Sequence, residues 1–235
     1  MIIRKPTQAD LPGLCALWQE AFGDSREEVE SFYETAFSCD RALLAEAQNP
    51  VGGIYWIDAQ IGGQKVAYLY AFAVEKECRG RGMGKALLEE TMKTLKGEGY
   101  AAAVLVPGEA SLQSYYEKMG FSVFGKTRSA TAEAPGIPVK KVSAETYMAK
   151  RQTLNPPLQW PKSALVYLER LSELYAGEDW VLAVGREGVQ EYVGPWEHLP
   201  HILFTLQPTA GATPAVAMVC CFAPVDLPEV FGPFF

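Results

Sequence analysis

The stretch RGRGMGKALLEE, residues 79–90, sets three glycines and three cations into its first seven positions and then continues as an apolar, helix-forming segment. Glycines let a backbone approach an anion closely, and the first turn of the helix that follows leaves N–H groups unpaired at its positive end. Arg79, Arg81 and Lys85 add charge to that cradle. Two familiar phosphate binders fail on spacing. A Walker A loop needs a glycine separated by four residues from the Gly-Lys pair and a hydroxyl residue after it, but Arg79 and Ala86 stand there. The dinucleotide pattern G-x-G-x-x-G fails as well, because Gly80 and Gly82 lead to Lys85 while Gly82 and Gly84 lead to Leu87. A glycine-rich turn with a solvated basic rim is the plainer alternative.

The chain around this stretch reads as alternating short elements. MIIRKP is a first strand, and two amphipathic helices follow it, each opened by a capping pair, Thr7 with Asp10 and Ser25 with Glu28. RALLAEA, VGGIYWIDAQI and KVAYLYAFAVE, separated by QNP and GGQ, form an antiparallel meander because connections so short cannot cross over. The helix after the glycines should carry a Glu89–Lys93 pair and stop at Gly97 or Gly99. AAAVLVP is a buried strand parallel to the one before that helix, EASLQSYYEKMG a helix ended by Gly120, and FSVFGK and VKKVSAETYMA two further strands. The expected organisation is a first domain over residues 1–150, a proline-rich linker over 151–162 and a small α+β domain over 163–235. In the last of these, HILFTLQ and AVAMVCCFA read as strands, and the unit has the look of half a domain like the first.

A net charge of −7 lacks the basic face that phosphate neutralisation requires, so neither nucleic acid nor an anionic membrane is an expected partner. A cationic substrate suits this field better. No apolar run approaches the ~20 residues of a membrane span, and the N-terminal MIIRKPTQAD turns polar before a signal-peptide core develops. A cytoplasmic protein is expected. Five scattered cysteines without a C-x-x-C pair predict neither disulfides nor zinc, and most should be small buried hydrophobes. His198 and His201 flank Pro200 in EHLPH, which reads as a loop rather than a metal-binding helix face, so no metal is expected.

YLYAFAVEKECRGRGMGKALLEE, residues 68–90, resembles the central motif of the GNAT superfamily of acyl-CoA-dependent N-acyltransferases, Arg/Gln-x-x-Gly-x-Gly/Ala, through Arg79, Gly82 and Gly84. SYYEKMGF, residues 114–121, resembles the same family's later Tyr-x-x-x-Gly-Phe segment through Tyr116, Gly120 and Phe121. The resemblance covers about residues 1–148. It implies a mixed α/β fold whose central sheet splays, so that main-chain groups of Phe72, Ala73 and Val74 meet the pantetheine arm of acetyl-CoA. Arg79, Gly80, Arg81, Gly82, Met83, Gly84 and Lys85 would hold its pyrophosphate. It further implies direct attack by a neutral amine, of a small molecule or a protein, through a tetrahedral oxyanion near the Val74 N–H. Tyr116 would act as the acid toward the departing thiolate, its alternative being a core aromatic of the helix face.

The chain departs from the family in two places. The strand AAAVLVP has no carboxylate to serve as general base, leaving Glu75 and Glu109 as possible ones, and Glu109 replaces a frequent Asn seven positions before the Tyr. Trp56, Phe32 and Tyr33 could line an acceptor pocket or pack the core. The terminal VFGPFF is expected to bring its aromatics and the Phe235 carboxylate toward the acceptor side. A non-catalytic CoA-binding or interaction module is the alternative from another class, and either would act as a monomer or a homodimer.

Overall fold

The meander forms the middle of the main sheet, because two glycines in left-handed conformations, Gly62 (φ +57°) and Gly63 (φ +76°), turn one long strand directly into the next. The computed structural model describes residues 2–126, 130–186, 188–207 and 216–227. Its strands are β1 (Ile2–Arg4), β2 (Ala42–Glu46), β3 (Pro50–Ile61), β4 (Gln64–Val74), β5 (Ala102–Leu105), β6 (Ser122–Lys126), β7 (Lys140–Lys141), β8 (Leu158–Gln159), β9 (Ser172–Ala176), β10 (Val181–Gly185), β11 (Gly188–Val193) and β12 (Val216–Cys221). Its helices are α1 (Leu11–Phe22), α2 (Arg26–Thr35), α3 (Met83–Gly97), α4 (Gln113–Lys118), α5 (Ala144–Leu154), α6 (Lys162–Leu171) and α7 (Leu199–Leu206). The main sheet has the order β1-β2-β3-β4-β5-β12-β6, with β8 added to the far end of β3, and a second sheet has the order β11-β10-β9-β7.

Period-two alternation along the strands separates the two faces of the main sheet. Tyr55, Ile57, Ala59 and Ile61 of β3 pack with Trp18 of α1, Phe32 of α2 and Tyr167 of α6. Ile54 and Trp56 point the other way, into a cluster with Leu87, Leu88 and Leu95 of α3 and Tyr116 of α4. Trp56 and Phe32 are therefore core residues. The second sheet lies beyond the first cluster, which takes in its Leu174, Val181 and Ala183, while Leu182 and Tyr192 pack against α7.

Only β4 and β5 run parallel among the described strands, as expected of neighbours joined through α3, and their pairing is short. It spans Val66–Tyr68 against Ala102–Val104, whereas β4 continues to Val74 while still paired to β3. The sheet thus opens after Tyr68. Ala71 sits in a left-handed conformation (φ +47°) where the β3–β4 register slips, a bulge that re-aims the end of the strand.

Several local expectations hold. Ser25 and Glu28 form their capping box, Asp10 accepts the Thr7 N–H at 2.7 Å, α3 stops at Gly97, and Gly120 is left-handed (φ +88°). Others are corrected. HILFTLQ is helix rather than strand: Pro200 occupies the first turn, where a missing N–H is no loss, and Leu199, Ile202 and Leu203 bury one helical stripe. VKKVSAETYMA is mostly the helix α5, opened by Ser143 accepting the Thr146 N–H. Lys93 pairs with Glu90 at 3.3 Å, and Glu89 with Lys85 at 3.8 Å. The five cysteines are half-buried or, at Cys221, exposed.

The tail of the chain is interleaved with the main sheet. β12 lies inside that sheet, antiparallel to both β5 and β6, so residues 130–207 stand between two neighbouring strands. The proline-rich residues 151–162 contribute the end of α5 and the strand β8. VFGPFF, with Phe235, lies outside the described residues.

A buried ion pair fastens α5 to the second sheet. Arg151 donates from Nε and Nη2 to the Glu191 carboxylate at 2.8–3.1 Å, each side chain 4% exposed, and also reaches the Leu158 carbonyl. The Tyr147 hydroxyl donates to the same carboxylate at 2.7 Å, and burial together with that neighbour holds its pKa well above the ordinary phenol value. Removing one partner strands the other charge. Arg151→Met should therefore lower the unfolding free energy by about 3–5 kcal/mol in denaturant titration, while Lys141→Met, at an exposed pair, should change it by about 0–1 kcal/mol.

Candidate active site

The opening of the sheet, the bulge and the glycine-rich stretch lie along one continuous run, from Tyr68 to Lys85. Ala73 is buried, Phe72 and Val74 half-buried. On the β5 side this end of β4 has no ladder partner among the described residues, so its main-chain groups are available to another extended chain. Arg79 closes the turn that follows: its Nε donates to the Val74 carbonyl oxygen at 2.8 Å. That contact fixes where the glycines begin.

Gly80 (φ +74°) and Gly82 (φ +80°) are both left-handed, and Gly82 caps α3 without a side-chain hydrogen bond. The Ala86 N–H finds the Gly82 carbonyl, which leaves the N–H groups of the first turn pointing outward, and no acidic residue occupies that turn. Arg79, Arg81 and Lys85 are exposed around this end, and the Lys85–Glu89 contact is a loose surface pair that leaves the lysine accessible. The arrangement is an electropositive cradle of main-chain donors. Met83 is half-buried on the first turn.

Gly84, unlike Gly80 and Gly82, is not left-handed and has close neighbours. A Cβ there would lie 3.4 Å from the Tyr115 hydroxyl oxygen, 3.5 Å from the Phe72 ring and 3.6 Å from a Val74 methyl group. These are ordinary packing distances, and they place the start of α3 against the end of β4. Tyr115 thereby belongs to this locality, which its position beside the motif tyrosine does not predict. Its hydroxyl is buried without a hydrogen-bond partner, and burial, with Glu89 nearby, raises its pKa.

Tyr116, one position on, points into the core beneath α3. It is 8% exposed, and its ring stands edge-on to Tyr115 and Phe121 at centroid distances of 5.3 and 5.8 Å. Burial, and secondarily Tyr115, pushes its pKa up to about 12, so the phenol is neutral throughout the physiological range. Glu75 follows Val74 directly and accepts from the Cys78 thiol at 3.5 Å, and Glu109 is exposed and accepts from the Ser111 hydroxyl. No group of three or more His, Cys, Asp or Glu side chains among the described residues is arranged to hold a metal. None of the described helices is long and apolar enough to cross a membrane.

On the opposite face, Tyr70 precedes the bulge and joins an aromatic cluster. Its ring lies 5.6 Å from Trp18, 5.3 Å from Phe32 and 6.2 Å from Tyr167, and its hydroxyl is 3.3 Å from that of Tyr167. Tyr70 and Tyr167 line a cavity of about 360 Å³ together with Phe22, Asp24, Glu28 and Arg186. Tyr33 joins the same cluster, its hydroxyl 2.7 Å from that of Tyr55.

Residues 2–124 match a family model described as an acetyltransferase (GNAT) domain. The chain is 27% identical over 104 residues to a 5-NmdU N-acetyltransferase of Pseudomonas phage PaMx11, covering 44% of this chain and 73% of that one. It is 32% identical over 101 residues to a mycothiol acetyltransferase of Saccharomonospora viridis, covering 39% of this chain and 33% of that one. A solved structure of a GCN5-related N-acetyltransferase from Kribbella flavida has a TM-score of 0.64 at 17% identity, covering 93% of this chain and 71% of that one, which is a likeness of fold.

Two glycines of the α3 segment separate the strain of the left-handed cap from ordinary helix propensity. Gly82→Ala forces an L-residue to φ +80° and should lower stability by about 1–2 kcal/mol in denaturant titration. Gly97→Ala, where a Cβ meets nothing within 4 Å, should raise stability by about 0.5–1 kcal/mol.

Proposed function

This chain belongs to the GNAT acetyltransferase family, and from that premise we propose that it transfers the acetyl group of acetyl-CoA to a primary amine by direct attack. One observation carries the reading: a strand end with no ladder partner on its β5 side among the described residues leads to a helix N-terminus that has no side-chain cap and is ringed by three cations. A pantetheine arm would lie along Phe72, Ala73 and Val74 as an added strand. The main-chain donors from Gly80 to Lys85, with the Arg79, Arg81 and Lys85 side chains, would hold the pyrophosphate.

The amine nitrogen enters neutral and uses its lone pair to form the C–N bond. The carbonyl oxygen becomes an oxyanion, held by a main-chain N–H near Val74. The C–S bond then breaks, the sulfur leaves with the electron pair, and the surplus proton on nitrogen is released to solvent or to the sulfur. The high pKa of Tyr116 refines its part in this step. Handing its proton to a thiolate of ordinary pKa ~8.5 would be uphill by roughly 5 kcal/mol, so the phenol acts by donating a hydrogen bond to the departing sulfur and keeps its proton. The seat of Tyr116 beneath α3, on the side of the sheet that carries the cradle, supports this role.

The direct test is thiol release from acetyl-CoA across a panel of primary amines. Acceptor-dependent release supports the reading, and tight CoA binding without any release overturns it. Tyr116→Phe should lower kcat about 100-fold with CoA affinity unchanged. The pH profile gives a second check. The rate should climb as the acceptor amine deprotonates and show no decline from Tyr116 up to about pH 10, because that phenol ionises only at about 12. A fall above about pH 9 that disappears in Tyr116→Phe would contradict the hydrogen-bonding role.

A further inference from the structure

Two cavities meet on the aromatic face of the sheet. The first, about 360 Å³, runs from Tyr70 to Glu28 and Leu171. The second, about 490 Å³, lies between α2 and α6, is lined by Glu27, Glu30, Ser31, Glu34 and Arg170, and shares Glu28 and Leu171 with the first. The two cavities thus adjoin at Glu28 and Leu171, one reaching the last residue of β4 before the bulge and the other the outer face of α2.

The adjoining cavities are aromatic at the inner end and carry more carboxylates than cations over their combined lining. Phe22, Tyr70 and Tyr167 form the inner walls, with Arg186 the cation there. Asp24 accepts the Trp18 Nε1–H at 2.7 Å and Glu28 accepts the Ser25 N–H at 2.7 Å, and the Ser25 side chain and N–H, with Arg186 nearby, hold the Glu28 carboxyl below its ordinary pKa. Further out, Glu34 is paired with Arg170 at 2.6 Å and Glu30 with Arg26 at 2.6 Å, while Glu27 makes no ion pair among the described residues. An independent sign of a ligand is Ser31. It is 9% exposed, it lines the outer cavity, and its buried hydroxyl has no hydrogen-bond partner. Buried hydroxyls are ordinarily satisfied.

We propose that the acceptor is a primary amine carrying a second cationic centre, of the alkyl diamine or polyamine class. Its reacting nitrogen lies beside Tyr70, its chain follows the aromatic walls, and its distal ammonium is received by Glu27, Glu28 and the Ser31 hydroxyl. An ammonium brings three donors and no acceptor, which suits two carboxylates and a hydroxyl oxygen, and aromatic faces accept a cationic chain. The chemistry of transfer is unchanged: one C–N bond forms, the thioester C–S bond breaks, and the distal centre keeps its charge. This inference rests on the transferase reading above.

The test measures kcat/KM with acetyl-CoA for matched pairs of alkyl monoamines and diamines, and for spermidine, at low and at moderate salt. Diamines should exceed monoamines of equal chain length by at least about tenfold, and the excess should shrink with added salt. Glu27→Gln combined with Ser31→Ala should bring the diamine-to-monoamine ratio toward one, and Glu27→Lys should invert it. Equal kcat/KM for the two amine types would overturn the diamine site and leave the transferase reading standing. Preferential acetylation of a lysine-rich peptide over every free diamine would also overturn the diamine site. If no amine supports thiol release, both readings fall.

Discussion

The point where β4 parts from β5, after Tyr68 and Val104, is the constraint on which the rest of the architecture turns. A parallel pair that stayed zipped would leave no unpaired main chain inside the molecule, and the end of β4 would be one more ladder. Because the pair opens, the stretch from Leu69 to Val74 is held, among the described strands, by β3 alone, and its course is set by the left-handed Ala71. Every other part of the site is positioned from that stretch. Arg79 reaches back to the Val74 carbonyl, and Gly84 at the start of α3 lies against Phe72 and Val74.

The bulge also divides labour between the two faces of the sheet. Phe72 belongs to the side that carries α3 and α4, where the cations and the main-chain donors gather. Tyr70 belongs to the other side, among the rings of α1, α2 and α6. One strand end thus faces an electropositive cradle across one surface and an aromatic cavity with carboxylates across the other.

Features that are local in sequence are legible in it. The capping box of Ser25 and Glu28, the Gly62–Gly63 turn and the left-handed Gly120 each depend on residues within a few positions of one another. The cradle is readable for the same reason. HILFTLQ misleads because a short apolar-rich run fits either period, and the arbiter is Pro200, tolerated at a helix start but not in a central strand. The place of β12 is invisible because pairing between Val216 and Lys126, or Met218 and Leu105, is decided by sheet closure rather than by neighbouring residues. Tyr115 and Tyr116 are indistinguishable as adjacent letters. On a helix they point about 100° apart, which sends one hydroxyl to Gly84 and the other ring into the core.

The position of β12 has a consequence for how the molecule is made. A ribosome delivers β5 and β6 early, yet the strand that belongs between them emerges only after residues 127–215 have been synthesised. At ordinary elongation speeds that interval is on the order of ten seconds, during which two strand edges of the nascent sheet stay open. The main sheet therefore cannot be completed until the distal β12 has been made.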